Sequence, residues 1–167
     1  MEACRRSSQH PAHRRDNGYN PGSSCRLTCD LLRVNTTRFD IYIPFVDHLG
    51  IELLEKADGR VRIRFDPRPE HLNSWKGVHG GVVMTLLDVA LGSASRALDL
   101  SCIGAATVEL KANFLAATLG PVTAEGRAQR AGRSLIFAEG EVRDESGVTL
   151  AKGSGTFKLI FPAGTRE

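Results

Sequence analysis

The chain has 167 residues, enough for one domain around a single core, and its 25% charged and 41% hydrophobic residues are ordinary for a globular protein. The net charge of +3 is too small to argue for a nucleic-acid partner, and its source is local: residues 1–35 carry Arg5, Arg6, Arg14, Arg15, Arg26 and Arg33 against Glu2, Asp16 and Asp30. No apolar run is long enough to span a bilayer and the N-terminus lacks the apolar middle of a secretion signal, so a cytoplasmic protein without a membrane partner is expected.

Residues 1–35 read as a disordered extension ahead of a single domain at 36–167, because Pro11, Gly18, Pro21 and Gly22 break any amphipathic helix there. Cys4, Cys25 and Cys29 lie in this tail with His10 and His13. A Cys-x3-Cys spacing without a second pair does not match a structural zinc site, so no metal is expected. Cys102 reads as a small buried hydrophobe.

Within the domain, Pro44 to Leu49 suits a short helical turn ended by Gly50. Strands are expected at 51–56 and 60–65 around Asp58-Gly59, a strong two-residue hairpin signal. Val61, Ile63 and Phe65 alternate with Arg62 and Arg64, which predicts one buried and one wet face. Pro67 and Pro69 close that strand, and a loop runs to about Gly77. From about Val78 to Leu98 the pattern is a helix that is apolar almost all round, the mark of a buried one. Four strand-like runs follow near 103–116, 121–131, 133–144 and 148–160, punctuated by Gly120-Pro121, Gly132 and Ser146-Gly147. One long buried helix with an antiparallel sheet of five to six strands implies an α+β fold whose sheet wraps around the helix.

The chemistry concentrates at the helix start. His79-Gly80-Gly81 leaves the first-turn N–H groups without intrahelical partners, at the positive end of the helix dipole, and the two glycines let another group approach the backbone. Such a start can hold an anion, or a carbonyl oxygen becoming one. Asp88 stands between Leu87 and Val89 in an otherwise apolar stretch, where a carboxylate is costly unless paired, hydrogen-bonded or neutral. A donor cradle with an isolated carboxylate suggests acyl chemistry. His79 and Asp88 are nine residues apart, about 900° of rotation and about 13 Å of rise, so they cannot meet on one helix. If both serve one reaction, the carboxylate comes from a second copy of the chain.

The order Asn73, His79-Gly80-Gly81, Asp88 resembles the signature of hotdog-fold acyl-CoA thioesterases of the phenylacetate-pathway (PaaI-type) branch. The resemblance continues through Thr107-Val108-Glu109-Leu110 and Arg130-Ala131-Gly132-Arg133-Ser134, and so covers the chain from about Phe39 to Phe161. It implies hydrolysis of acyl-CoA to free acid and CoA, on aryl, phenylacetyl or medium-chain acyl groups, by a dimer or tetramer with no metal or redox cofactor. The implied catalytic set is Asp88 as base or nucleophile, Gly80 as carbonyl donor, Asn73 and His79 in support, and Thr107 as the hydroxyl assisting the carboxylate. Gly81, Arg130, Gly132, Arg133 and Ser134 are the implied contacts to substrate and CoA. Arg127, Arg130 and Arg133 also suit CoA phosphates by residue type, since guanidinium forks match phosphate oxygens, although the same charges would protect a strand edge.

Plainer readings exist for each residue. Asp88 could be a structural carboxylate bonded to backbone or a hydroxyl, Gly80 a packing glycine, His79 and Asn73 turn residues, and Trp75 either an acyl-pocket wall or a loop anchor. Two rival functions remain: a hotdog hydratase or dehydratase on acyl thioesters, and a non-catalytic acyl-CoA-binding module. The tail carries no helix-turn-helix pattern that would couple the latter to DNA.

Overall fold

The computed structural model describes residues 39–131 and 135–164, with side chains for all of these except Arg130 and Ala131. The N-terminal extension and the Gly132-Arg133-Ser134 segment therefore lie outside the described residues.

Local chemistry builds the first elements as the sequence predicts. Helix α1 (Pro44–Leu49) starts on a proline, whose fixed φ suits a first helical turn, and stops at Gly50, which turns left-handed with φ 73° and donates its N–H to the Asp47 carbonyl. Strands β1 (Glu52–Ala57) and β2 (Arg60–Phe65) meet across Asp58 and Gly59 at φ 44° and 75°, the double left-handed geometry of a tight hairpin turn. Val61, Ile63 and Phe65 point inward and are buried, while Arg60 and Arg62 face out.

Helix α2 (Gly80–Arg96) follows, then β3 (Gly104–Phe114), β4 (Val122–Ala131), β5 (Leu135–Asp144) and β6 (Thr149–Ile160). The strands form one antiparallel sheet in the order β1-β2-β4-β5-β6-β3. α2 packs against β2, β3, β4, β5 and β6, so the sheet curls about it, which is the hotdog architecture. The core is the inner sheet face against Val83, Leu86, Leu87, Ala90, Leu91 and Ala94 of α2. β3 ends the sheet beside β6, and its outer edge has no strand neighbour among the described residues.

A row of small residues lets the helix lie on the sheet. The register aligns Val61, Gly126, Gly140, Gly153 and Ala112 across five strands. A Cβ on Gly126 would stand 2.5 Å from the Ala90 carbonyl oxygen of α2, and one on Gly140 would stand 2.2 Å from the Glu125 carbonyl. Backbone atoms cannot swing aside, so Gly126→Ala is expected to cost about 1–3 kcal/mol, read from the denaturant midpoint. A loss below about 0.5 kcal/mol, the range of neutral surface changes, would mean that the helix rides on the sheet with slack.

Helix α2 differs from expectation in two ways. It is shorter than 78–98, because Val78 bridges to Leu72 and donates to the Thr118 carbonyl at 2.8 Å, which holds it extended, and because the last N–H groups turn to Ser95 and Arg96 carbonyls in a tighter spiral. Nor is it buried all round. Met84 is 38% exposed, and Thr85, Asp88, Val89, Gly92 and Ser93 are only half-buried, because the sheet covers one side of the helix and a cleft separates the other from residues 39–46. No helix among the described residues is long and apolar enough to cross a membrane.

Candidate active site

The loop before α2 is fixed by hydrogen bonds that aim the helix start. The Asn73 side-chain oxygen accepts the N–H groups of Trp75 at 2.9 Å and Gly77 at 3.2 Å, and its backbone N–H donates to the Gly77 carbonyl at 2.8 Å. Asn73 is thus a turn organiser, with its carbonyl oxygen committed to the loop. Two contacts that the sequence did not disclose hold the far side of this loop. His79 N–H donates to the carbonyl of His71, and Val78 N–H to that of Thr118, each at 2.8 Å. His71 and Thr118 are both buried, and the His71 ring packs 5.0 Å from that of Phe65 while its Nδ1 accepts the Arg68 N–H. Trp75 is 88% exposed.

At the helix start the two glycines part company. His79 caps α2, its Nδ1 accepting the Gly81 N–H at 2.9 Å, so that donor is already used and the ring's remaining hydrogen is directed to Nε2. The Gly80 N–H has no acceptor among the described residues, which leaves it as the free donor of the first turn. The Phe114 ring lies over Gly80, 3.6 Å from where a Cβ would be. Phe114 is 53% exposed, and this aromatic wall beside the donor was not singled out in the sequence.

Asp88 and Thr107 meet. Thr107 Oγ1 donates to Asp88 Oδ1 at 2.7 Å, and Oδ2 has no partner among the described residues. A bulge between Thr107 and Glu109 makes this possible, because the extra residue, Val108, lets both Thr107 and Leu110 face the helix while Glu109 faces out. The carboxylate is therefore hydrogen-bonded rather than isolated, with one oxygen steadied and one open. It lines a cleft of about 470 Å³ between the open side of α2, the start of β3 and residues 39–46. Gly80 and Asp88 are eight residues apart on the same helix, about 12 Å of rise.

The CoA-side expectations fare differently. Arg130 pairs through its backbone with Ile136, and Gly132, Arg133 and Ser134 lie outside the described residues. Arg127 points to the outer face of the sheet beside Arg60 and Glu139, on the side away from α2 and Asp88. It does not join Asp88 within one subunit, because strand alternation sends Arg127 out where Gly126 and Ala128 face in.

Residues 76–151, which hold His79, Gly80, Asp88 and Thr107, match the model of the thioesterase superfamily. A protein of Saccharolobus solfataricus that bears an esterase name (SSO1253) is 37% identical over 113 residues, covering 65% of this chain and 73% of that one. The chain belongs to the thioesterase superfamily. A further relative, the medium/long-chain acyl-CoA thioesterase YigI of Salmonella typhimurium, is 25% identical over 144 residues, covering 72% of this chain and 88% of YigI. Among solved structures, the PaaI protein from the phenylacetic acid degradation operon of Escherichia coli superposes with a TM-score of 0.64 at 20% identity, over 70% of this chain and 83% of PaaI. At that identity the superposition speaks for the shared hotdog fold alone.

Proposed function

We propose that the protein hydrolyses acyl-CoA thioesters to the free acid and CoA in a site shared by two subunits, in the manner of the PaaI-type branch. The observation that carries this reading is the Thr107–Asp88 hydrogen bond, which leaves one carboxylate oxygen open to a cleft of about 470 Å³. The unengaged Gly80 N–H at the positive end of α2 receives the thioester carbonyl and the negative charge that grows on its oxygen. Because about 12 Å separate Gly80 from Asp88 along one helix, the carboxylate that reaches the carbonyl carbon is Asp88 of the partner subunit.

Two routes use the same groups. In the first, the partner subunit's Asp88 takes a proton from water as its oxygen attacks the carbonyl carbon, and the CoA thiolate leaves and is protonated. In the second, Asp88 attacks directly, expelling the thiolate to give a mixed anhydride that water then opens. His79 holds the Gly81 N–H and with it the geometry of the turn, and Asn73 sets the loop that aims Gly80. A carboxylate, an amide and water suffice, so this chemistry calls on no metal or redox cofactor. Arg130, Arg133 and Ser134 remain the proposed contacts to CoA, with Gly81 and Gly132 allowing close approach.

Free-thiol release over a panel of acyl-CoAs, from acetyl through medium-chain to phenylacetyl, tests this reading. Steady release from at least one member is expected. Enoyl absorbance without thiol release would instead identify a hydratase or dehydratase, and binding without turnover an acyl-CoA-binding module.

A further inference from the structure

The cleft beside Asp88 continues along α2. Asp88, Gly92 and Arg96 fall four residues apart, so they form one stripe of the helix, about 12 Å from first to last. All three line the cleft, with Phe39, Ile43 and Leu110 among its apolar walls. Glycine is disfavoured in the middle of a helix. Packing on the core side does not demand it here, since a Cβ on Gly92 would meet the Phe157 ring at 3.4 and 3.7 Å, ordinary contact distances. What the missing side chain provides is an open floor between Asp88 and Arg96.

The far end of this floor is charged. Arg96, only 9% exposed, donates Nη1 to Asp40 and Nη2 to the Cys102 carbonyl at a long 3.4 Å, and its buried Nε has no acceptor among the described residues. Lys56 Nζ stands 2.8 Å from the other oxygen of Asp40. The Asp40 carboxyl, which burial works to raise, is brought down to about 2 by the hydrogen bonds from Lys56 and Arg96, so it is ionised at neutral pH. At this end of the cleft the two cations, 15% and 11% exposed at their side chains, share a single carboxylate among the described residues, which leaves one positive charge in surplus there, while the Asp88 carboxyl stands at the other end, about 12 Å along the helix. A largely buried surplus charge and an unfilled donor are both costly until an anion meets them.

We propose that this cleft receives the tail of an ω-carboxyacyl thioester, its thioester end at Asp88 and its terminal carboxylate at Arg96 and Lys56. The proposal rests on the hydrolase reading above and gives it a substrate class. A span of about 12 Å suits an extended tail of roughly eight to ten carbons, given C–C bonds of about 1.5 Å in a zigzag. The apolar walls accept the methylenes, and the terminal carboxylate both neutralises the surplus charge and offers lone pairs to donors that a methyl end would leave empty.

The test compares two nine-carbon acyl-CoAs, one ending in a carboxylate and one in a methyl group, by kcat/KM for thiol release. The wild-type protein is expected to prefer the carboxylate-ended substrate at least tenfold. Lys56→Met removes the surplus charge while leaving the Arg96–Asp40 pair, and is expected to bring that ratio to one or below. Gly92→Leu, which fills the floor, should lower the rate on both nine-carbon substrates at least tenfold relative to acetyl-CoA. Equal rates for the two tails in the wild type overturn the proposal, as does a preference that survives Lys56→Met. If no acyl-CoA is hydrolysed, the hydrolase reading fails on its own. Calorimetric Kd values for the same two thioesters then decide the cleft assignment, tighter binding of the carboxylate-ended one supporting it and equal binding overturning it.

Discussion

Asp88→Asn is expected to lower kcat at least 10²-fold with the fold intact, since positioned general bases contribute about 10²–10⁴. Asparagine keeps the volume, and its side-chain oxygen can still accept the Thr107 hydroxyl that now bonds Asp88 at 2.7 Å. What it loses is the negative charge and the lone pair needed to take a proton or attack a carbon. Asp88 is half-buried on the open side of α2, away from the Leu86, Leu87 and Leu91 core, so the melting temperature should stay close to wild type. Thiol release at saturating substrate, beside a melting curve on the same sample, reads both effects. A variant that kept more than about a tenth of wild-type turnover would remove Asp88 from the chemistry, given the size of general-base effects.

Gly80→Pro is expected to be nearly as damaging, and to complement Asp88→Asn. Proline deletes the one first-turn N–H that has no acceptor among the described residues, and its ring is well suited to the first position of a helix. The residue before it, His79, already has φ −60° and ψ 136°, the extended geometry that precedes proline most readily. Losing an oxyanion donor typically costs about 10²–10³ in rate. Mixed with Asp88→Asn chains, half of the randomly paired dimers would be hybrids with one site carrying both native groups, so activity should return to about a quarter of wild type. Exchange of subunits is verified by mass spectrometry of differently tagged chains. Hybrids that form without activity would put the carboxylate and the donor of each site in the same subunit.

Much of the fold is legible because it is local. Asp58-Gly59, Gly50 and the alternation of Val61, Ile63 and Phe65 encode backbone geometry and burial within a few residues, and each is realised. The free first-turn donors of His79-Gly80-Gly81 were equally legible from residue type, although the helix starts at Gly80 rather than near Val78, with His79 as its cap. The glycine row was not, because a glycine in a strand reads as a weakness unless the backbone that approaches it is known. Gly126 has its reason in the Ala90 carbonyl, 36 residues earlier in the chain.

The sequence by itself determined the element types, their order, and the Asn73, His79-Gly80-Gly81 and Asp88 spacing that points to thioester chemistry, since propensity, capping and periodicity act over one or two turns. Only the tertiary structure decided that β3 lies beside β6, that a bulge at Val108 turns the Thr107 hydroxyl onto Asp88, and that α2 is open on one side. It alone brought Asp40, Lys56 and Arg96 together from a loop, a strand and a helix end. These are contacts between segments tens of residues apart. Their geometry is set by the packing of the whole sheet around the helix, and no window of neighbouring residues contains it.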